Sequence, residues 1–215
     1  MHKKVIIYTV VQSNRFYLKE QKFVNKDIDY VCFSDRNFEV YPWRMEVIEK
    51  KYTDIRLNYK WYKLHPHKLF ADYEYSLWID SSIIVSADIF PYIEKYLQDA
   101  NIALFKHHAG RNCLYEEGKV CIELGLADKD ITMRQMEKYK QDGYPENNGL
   151  VMTGIIFRKH NMPDVVESME DWFNELVVGC KRDQVSFNYV AWKNNLRFNY
   201  IKEIHTNNHP VFKIR

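Results

Sequence analysis

The sequence predicts an α/β domain with a mostly parallel central sheet flanked by helices. Three observations carry this expectation. Short β-rich runs alternate with segments of helical spacing along the chain, the pattern of βαβ units. The 215 residues are 46% apolar and 28% charged, which suits one buried core without disulfides or a structural metal. Polar and ionisable residues collect just after the strand candidates, where open α/β sheets bind their ligands.

Residues 4–11 read as a buried first strand, followed by Gln12-Ser13-Asn14-Arg15. Residues 30–34 form a second strand that ends at Asp35, and 44–48 a weaker third. Residues 54–70 have helical spacing, with Asp54 as N-cap. Two strand runs, 75–80 and 82–85, are interrupted at Asp80-Ser81. Residues 88–97 are helical, with Pro91 in the first turn, where a missing N–H is tolerated. A strand over 101–105 precedes helices over 114–124 and 131–141. Residues 150–158 are a strand with Gly154 inside it. Helices follow over 163–178 and 183–193, then a strand over 198–204 and a polar tail. There is no internal repeat and no linker, so a single domain over 1–215 is expected.

Composition removes several function classes. A net charge of +2 leaves no bulk positive charge for a nucleic-acid or membrane-surface role. No apolar run reaches the roughly 18 residues of a bilayer span, and the N-terminus lacks a signal-peptide core. Cys32, Cys113, Cys121 and Cys180 form no C-x-x-C pair and read as buried thiols in a reducing compartment. A cytoplasmic protein is expected, or a catalytic domain from a larger one. Neither G-x-G-x-x-G nor G-x-x-x-x-G-K-[ST] occurs, so two common phosphate cradles are missing. The 12 Phe, 16 Tyr and 5 Trp serve a core or stack on sugar and base faces.

Six segments carry chemistry. In Tyr75–Ser82 an apolar run ends in Asp80 and two hydroxyls, oxygen ligands for a hard divalent cation; an Asp capping its own turn would look the same. Arg56, Lys60 and Lys63 recur at four and three residues and share one helix face, a line that His67 continues. That face suits a diphosphate leaving group, a solvated surface or, with Trp61 and Tyr62, single-stranded bases. His107-His108, Arg111, Tyr115, Glu116 and Glu117 combine metal, acid–base and phosphate-binding groups, or form a polar loop and helix start. Asn147-Asn148-Gly149 turns into a core strand. Asp183-Gln184 is an N-cap or a pair that binds sugar hydroxyls and takes a proton. His205, after the last strand, is a remote candidate metal ligand.

Together, Lys63-Leu64-His65-Pro66-His67, Trp78-Ile79-Asp80, Arg182-Asp183-Gln184-x-x-Phe187 and the Asn-Asn-Gly strand resemble the glycosyltransferase-like family that includes plant mucilage-related proteins. The resemblance covers roughly residues 5–195 and rests on the ordered set. The anchorless form is also similar to glycosyltransferase domains of large algal viruses. The resemblance implies a GT-A-type, Rossmann-like fold, a nucleotide-sugar donor and Mn²⁺ or Mg²⁺. Such enzymes carry Asp-x-Asp at a strand end, and this chain has Asp80-Ser81-Ser82. Metal binding then falls to Asp80 with Ser82, a water or His205. By the same likeness Thr9, Val10 and Asp35 line a uridine pocket, Arg56 and Lys63 face the diphosphate, and Asp183 and Gln184 lie by the transferred sugar or acceptor. Asp183 is the expected base if the reaction inverts. The implied function is metal-dependent hexosyl or pentosyl transfer from a UDP-sugar to a glycan or glycoprotein. Two alternatives stand beside it: a non-catalytic nucleotide- or glycan-binding module, and a hydrolase in which His107, His108 and Asp80 surround a metal-activated water. A plant relative described as acting on ceramide motivates the second.

Overall fold

β1 (Val5–Val11), seven consecutive buried residues, lies third in a seven-stranded sheet of order β3-β2-β1-β4-β7-β6-β8. The computed structural model describes residues 4–13, 17–107, 110–203 and 209–214. The other strands are β2 (Ile28–Ser34), β3 (Arg44–Val47), β4 (Tyr75–Ile79), β6 (Ile102–Lys106), β7 (Val151–Arg158) and β8 (Asn199–Ile201). β1 pairs in parallel with β2 and β4, β2 with β3, and β6 with β8. β7 alone runs the other way, antiparallel to both β4 and β6. The expected mostly parallel sheet is thus present.

Side chains alternate between the faces with the two-residue period of a strand. Ile6, Tyr8, Val10, Trp78, Leu104 and Ile156 join a core with Met169 and Trp172 of α6 (Pro163–Val178). Val5, Ile7, Val11, Leu77, Phe105 and Phe157 join a second core with Ile93 of α3 (Phe90–Tyr96). Both faces are covered, which explains the near-continuous apolar strands.

Three segments differ from expectation. The helix expected over 54–70 begins at the Asp54 cap, whose side chain accepts from the Arg56 and Leu57 amides. It then divides into α1 (Ile55–Leu64) and α2 (Pro66–Leu69). His65 between them leaves the helical region (φ −116°, ψ 48°), because the residue before a proline is crowded out of it. The helix expected over 183–193 opens as a 3-10 turn (Asp183–Val185) before α7 (Phe187–Lys193). The strand after Asp80, β5 (Ile83–Val85), leaves the main sheet and pairs antiparallel with β9 (Phe212–Ile214), which lies in the tail expected to be only polar. The remaining helices are α4 (Leu114–Glu123) and α5 (Lys129–Gln141). No described helix is long and apolar enough to cross a membrane.

Candidate active site

The carboxyl ends of β1 and β4 and the start of the reversed β7 meet at one edge of the sheet. A cleft of about 980 Å³ opens there. Gln12 and Ser13 follow β1; Ile55, Arg56, Tyr59, Lys60 and Lys63 come from α1; Asp80, Ser82 and Ile83 follow β4. Residues 152–154 of β7, Gly125 and Leu126 between α4 and α5, and residues 181–184 complete the lining. Arg56, Lys63, Asp80, Ser82, Asp183 and Gln184, singled out from sequence, therefore come together.

Asp80 is held on three sides. Its amide donates to the Gly154 carbonyl at 2.8 Å. Its Oδ1 accepts from Tyr59 Oη at 3.1 Å and from Trp78 Nε1 at 3.0 Å. The Tyr59 ring stands edge-on to Trp78 with centroids 5.4 Å apart. Burial, reinforced by the Asp80 and Asp183 charges, pushes the Tyr59 hydroxyl well above its ordinary value, so it remains a donor. Oδ2 points toward Gly154, where a Cβ would lie 3.2 Å from it. The absent side chain keeps this oxygen open. Among the described residues, no three His, Cys, Asp or Glu side chains converge to hold a metal. The His205 assignment lies outside the described residues.

Lys60 and Lys63 both reach Asp183. Their Nζ atoms lie 2.6 Å and 2.7 Å from its Oδ2. Burial works to raise the Asp183 carboxyl, but the two ammonium groups outweigh it and hold the group well below the carboxylate range. The Lys60 ammonium is pushed down to about 8, by burial first, with Lys63 adding repulsion against the pull of Asp183. Two cations on one carboxylate leave the cleft floor net positive. Lys63 is fixed from behind as well, since its carbonyl accepts from Tyr8 Oη at 2.7 Å and Arg158 Nη1 at 3.0 Å. The Arg158 guanidinium is fully buried, and the carbonyl end of α1 offers it partial negative charge.

Four expectations change. Asp183 is a poor choice of base, because a carboxylate bonded to two ammonium groups has lost most of its proton affinity. Thr9 and Val10 do not line the cleft: both are interior strand residues, fully covered, and Val10 packs in the core. Gln12 and Ser13, two and three residues later, present the chain to the cleft. Asp35 shapes that turn from outside: it accepts from the Ser13 amide at 2.9 Å, while Arg36 Nη2 donates to the Ser13 carbonyl at 3.0 Å. His107 is not a cleft residue. Its Nε2 faces Arg111 Nη2 at 3.5 Å and Glu117 at 3.8 Å, and His108 lies outside the described residues. Sequence reasoning missed Tyr59 and Gly154. Tyr59 stands four residues before Lys63, so the α1 face itself signalled it; Gly154 had no signal beyond a glycine inside a strand.

The TOD1/MUCI70 glycosyltransferase-like domain profile matches residues 12–210. The chain is 29% identical over 187 residues to the Arabidopsis thaliana protein named probable hexosyltransferase MUCI70, covering 80% of this chain and 32% of that one. It is 27% identical over 167 residues to alkaline ceramidase TOD1 of the same plant, covering 72% and 36%. It thus spans about a third of the length of these curated relatives. The apo crystal structure of mouse xyloside xylosyltransferase 1 superposes with a TM-score of 0.51 at 11% identity, over 93% of this chain and 84% of that one. With the family profile spanning nearly the whole sequence, the chain belongs to the TOD1/MUCI70 glycosyltransferase-like family and has the GT-A fold.

Proposed function

We propose that this domain transfers a hexosyl or pentosyl group from a nucleotide-sugar donor, a UDP-sugar in our reading, to a hydroxyl of a glycan or glycoprotein. One observation carries the reading. A carboxylate with one open oxygen shares a cleft at the strand ends with a helix face of three cations. Departure of a nucleoside diphosphate builds negative charge on the β-phosphate. Preorganised cations lower the cost of that charge as it develops, and α1 aims Arg56 and Lys60 into the cleft. Lys63 and Asp183 hold the floor on which the sugar rests. Gln184 donates its Nε2 to the Val151 carbonyl at 3.3 Å, which leaves its Oε1 to accept from a sugar hydroxyl.

A divalent ion, Mn²⁺ or Mg²⁺, fits Asp80, because Oδ2 is open and Gly154 leaves room before it. Such ions are commonly held by one or two carboxylates together with substrate phosphates and waters. Asp80 and Ser82 would be the protein's share. When bound, the ion supplies positive charge to the leaving diphosphate. The four cysteines are free and buried, which supports the reading of a cytoplasmic, reducing setting.

The name of one relative, probable hexosyltransferase, supports transfer, and the name of another, alkaline ceramidase, raises hydrolysis. Hydrolysis by the expected residues needs His107 in the cleft, and that side chain is committed to Arg111 and Glu117 instead.

The test is thermal unfolding with UDP, GDP, CDP and ADP, with and without Mn²⁺, followed by a screen of UDP-sugars for turnover. A ligand at 100 times its Kd stabilises by about 2.7 kcal/mol, a shift of several degrees. We expect it with UDP and Mn²⁺, and turnover of a UDP-sugar. No shift with any nucleotide would overturn the reading, and a shift without turnover would make the domain a binding module.

A further inference from the structure

We propose that Arg182 reads an anionic group on the acceptor, so that the acceptor is a glycan bearing a carboxylate or a phosphate. The inference rests on the transferase reading above and concerns the end of the cleft that the donor chemistry does not use.

The cations of the cleft separate by what they already hold. Lys60 and Lys63 are bonded to Asp183. Lys181 Nζ donates to the carbonyls of Leu176, Val177 and Gly179 at 2.8, 2.9 and 3.1 Å, closing the end of α6. Arg56 stands in the first turn of α1 and is exposed to solvent. Arg182 differs from all of these. Like Arg56 and Lys181 it forms no ion pair among the described residues, but unlike them it has a buried side-chain nitrogen, Nε, without a hydrogen-bond partner. Its side chain meets the Cys121 thiol of α4. The carboxylate beyond that thiol, Glu117, receives Arg111 Nε at 2.6 Å. The Arg182 guanidinium is therefore partly desolvated with no counter-charge of its own, an arrangement that is costly until an anion arrives. Its planar fork matches a carboxylate or phosphate with two parallel hydrogen bonds.

Position separates this group from the donor. Arg182 meets α4 through the Cys121 thiol, whereas Arg56 belongs to α1, whose Asn58 Nδ2 donates to Gln12 Oε1 at 3.5 Å just after β1. The Lys60–Asp183–Lys63 cluster joins α1 to the residue that follows Arg182. A donor whose diphosphate meets Asp80 and α1 leaves Arg182 to the other substrate.

The test is isothermal titration of the full chain, saturated with UDP and Mn²⁺, with four glycans. They are a glucuronic acid-terminated disaccharide, its methyl ester, the neutral glucoside and a 6-phosphorylated glucoside. We expect the uronate or the phosphate to bind at least tenfold more tightly than the ester and the glucoside. Whichever wins identifies the acceptor anion. Arg182→Gln should erase the preference and Arg182→Lys retain part of it, with UDP affinity within twofold of the parent in both. No preference for either charged glycan, absent binding included, overturns the proposal. So does a preference that survives Arg182→Gln, or an equal loss of UDP affinity, which would assign Arg182 to the donor. A parent chain that fails to bind UDP instead refutes the transferase reading, while the acid–ester comparison, run without nucleotide, still decides whether Arg182 reads an anion.

Discussion

Lys63 and Asp183 stand 120 positions apart in sequence, and their charged atoms lie 2.7 Å apart in the fold. The contact ties α1 to the turn after α6, and it decides the chemistry open to both residues. A lysine so placed neutralises its partner before it neutralises any substrate, and the carboxylate is a spacer between ammonium groups rather than a proton acceptor.

Asp183→Asn should therefore cost stability as well as activity. Removing one member of a buried ion pair leaves the other charge uncompensated, about 3 kcal/mol or more. For a chain of this size that lowers Tm by roughly 6 °C or more. The double variant Lys63→Met/Asp183→Asn should lose less than the sum of its single variants, because the orphaned Lys63 charge is gone. Additive losses in thermal unfolding would show that the pair is not coupled.

Lys60 predicts a pH dependence above neutrality. Its folded value is about 8, below the ordinary lysine value of about 10.4. Between these values the unfolded chain holds a proton that the folded chain has released, so stability rises with pH in that window and falls as pH drops through 8. The parent should gain Tm relative to Lys60→Met between pH 7.5 and pH 9.5. Parallel Tm profiles of the two proteins would refute the assignment.

Gly154→Ala should separate activity from folding. The added Cβ lies 3.2 Å from Asp80 Oδ2, tight enough to shift the carboxylate but not to open the core. Donor turnover should fall by up to about tenfold, because the carboxylate must give by a few tenths of an ångström where a full 1 Å costs roughly a hundredfold, with Tm changed by no more than about 3 °C. Tyr59→Phe removes one of two donors to Oδ1 and should cost less. Unchanged turnover in Gly154→Ala would mean that the orientation of Asp80 is immaterial.

Acid should loosen the protein through two covered imidazoles. Burial pushes His65 and His160 down to about 4. His65 Nδ1 donates to the Trp61 carbonyl at 2.7 Å, and His160 Nε2 to the Phe70 carbonyl at 2.9 Å. Each contributes stability that is complete above the unfolded value near 6.5 and lost as pH falls toward 4, about 3 kcal/mol apiece. Tm should drop steeply across that interval, and His160→Gln should flatten the drop. An undiminished slope in the variant would remove His160 from the account.

Parts of this arrangement were legible in the sequence for physical reasons. β4 ends in Asp80 because a buried apolar run cannot continue through a carboxylate, and that boundary is visible in the residues. The cationic face of α1 follows from spacing alone. What Lys63 touches does not, since its partner comes from a segment 120 positions away. Thr9 and Val10 were assigned to the pocket by family likeness, which does not say which residue first leaves the strand; here it is Gln12 that reaches the cleft. The break at His65 was encoded in Pro66, yet helical spacing on both sides masked it. β9, three residues long, is too short to register as a pattern and exists because β5 offers it an edge.

The late place of β7 in the chain also governs when the cleft can exist during synthesis. The segment up to β5 carries Asp80 and the cations of α1, yet the carbonyl that fixes the Asp80 amide belongs to Gly154. The counter-ion of Lys60 and Lys63 arrives later still, at Asp183. A nascent chain stopped before α6 ends would carry two lysines without the carboxylate to which both are bonded. Any fragment that omits the last third of the sequence loses Gly154 and Asp183, and with them part of the lining of the cleft.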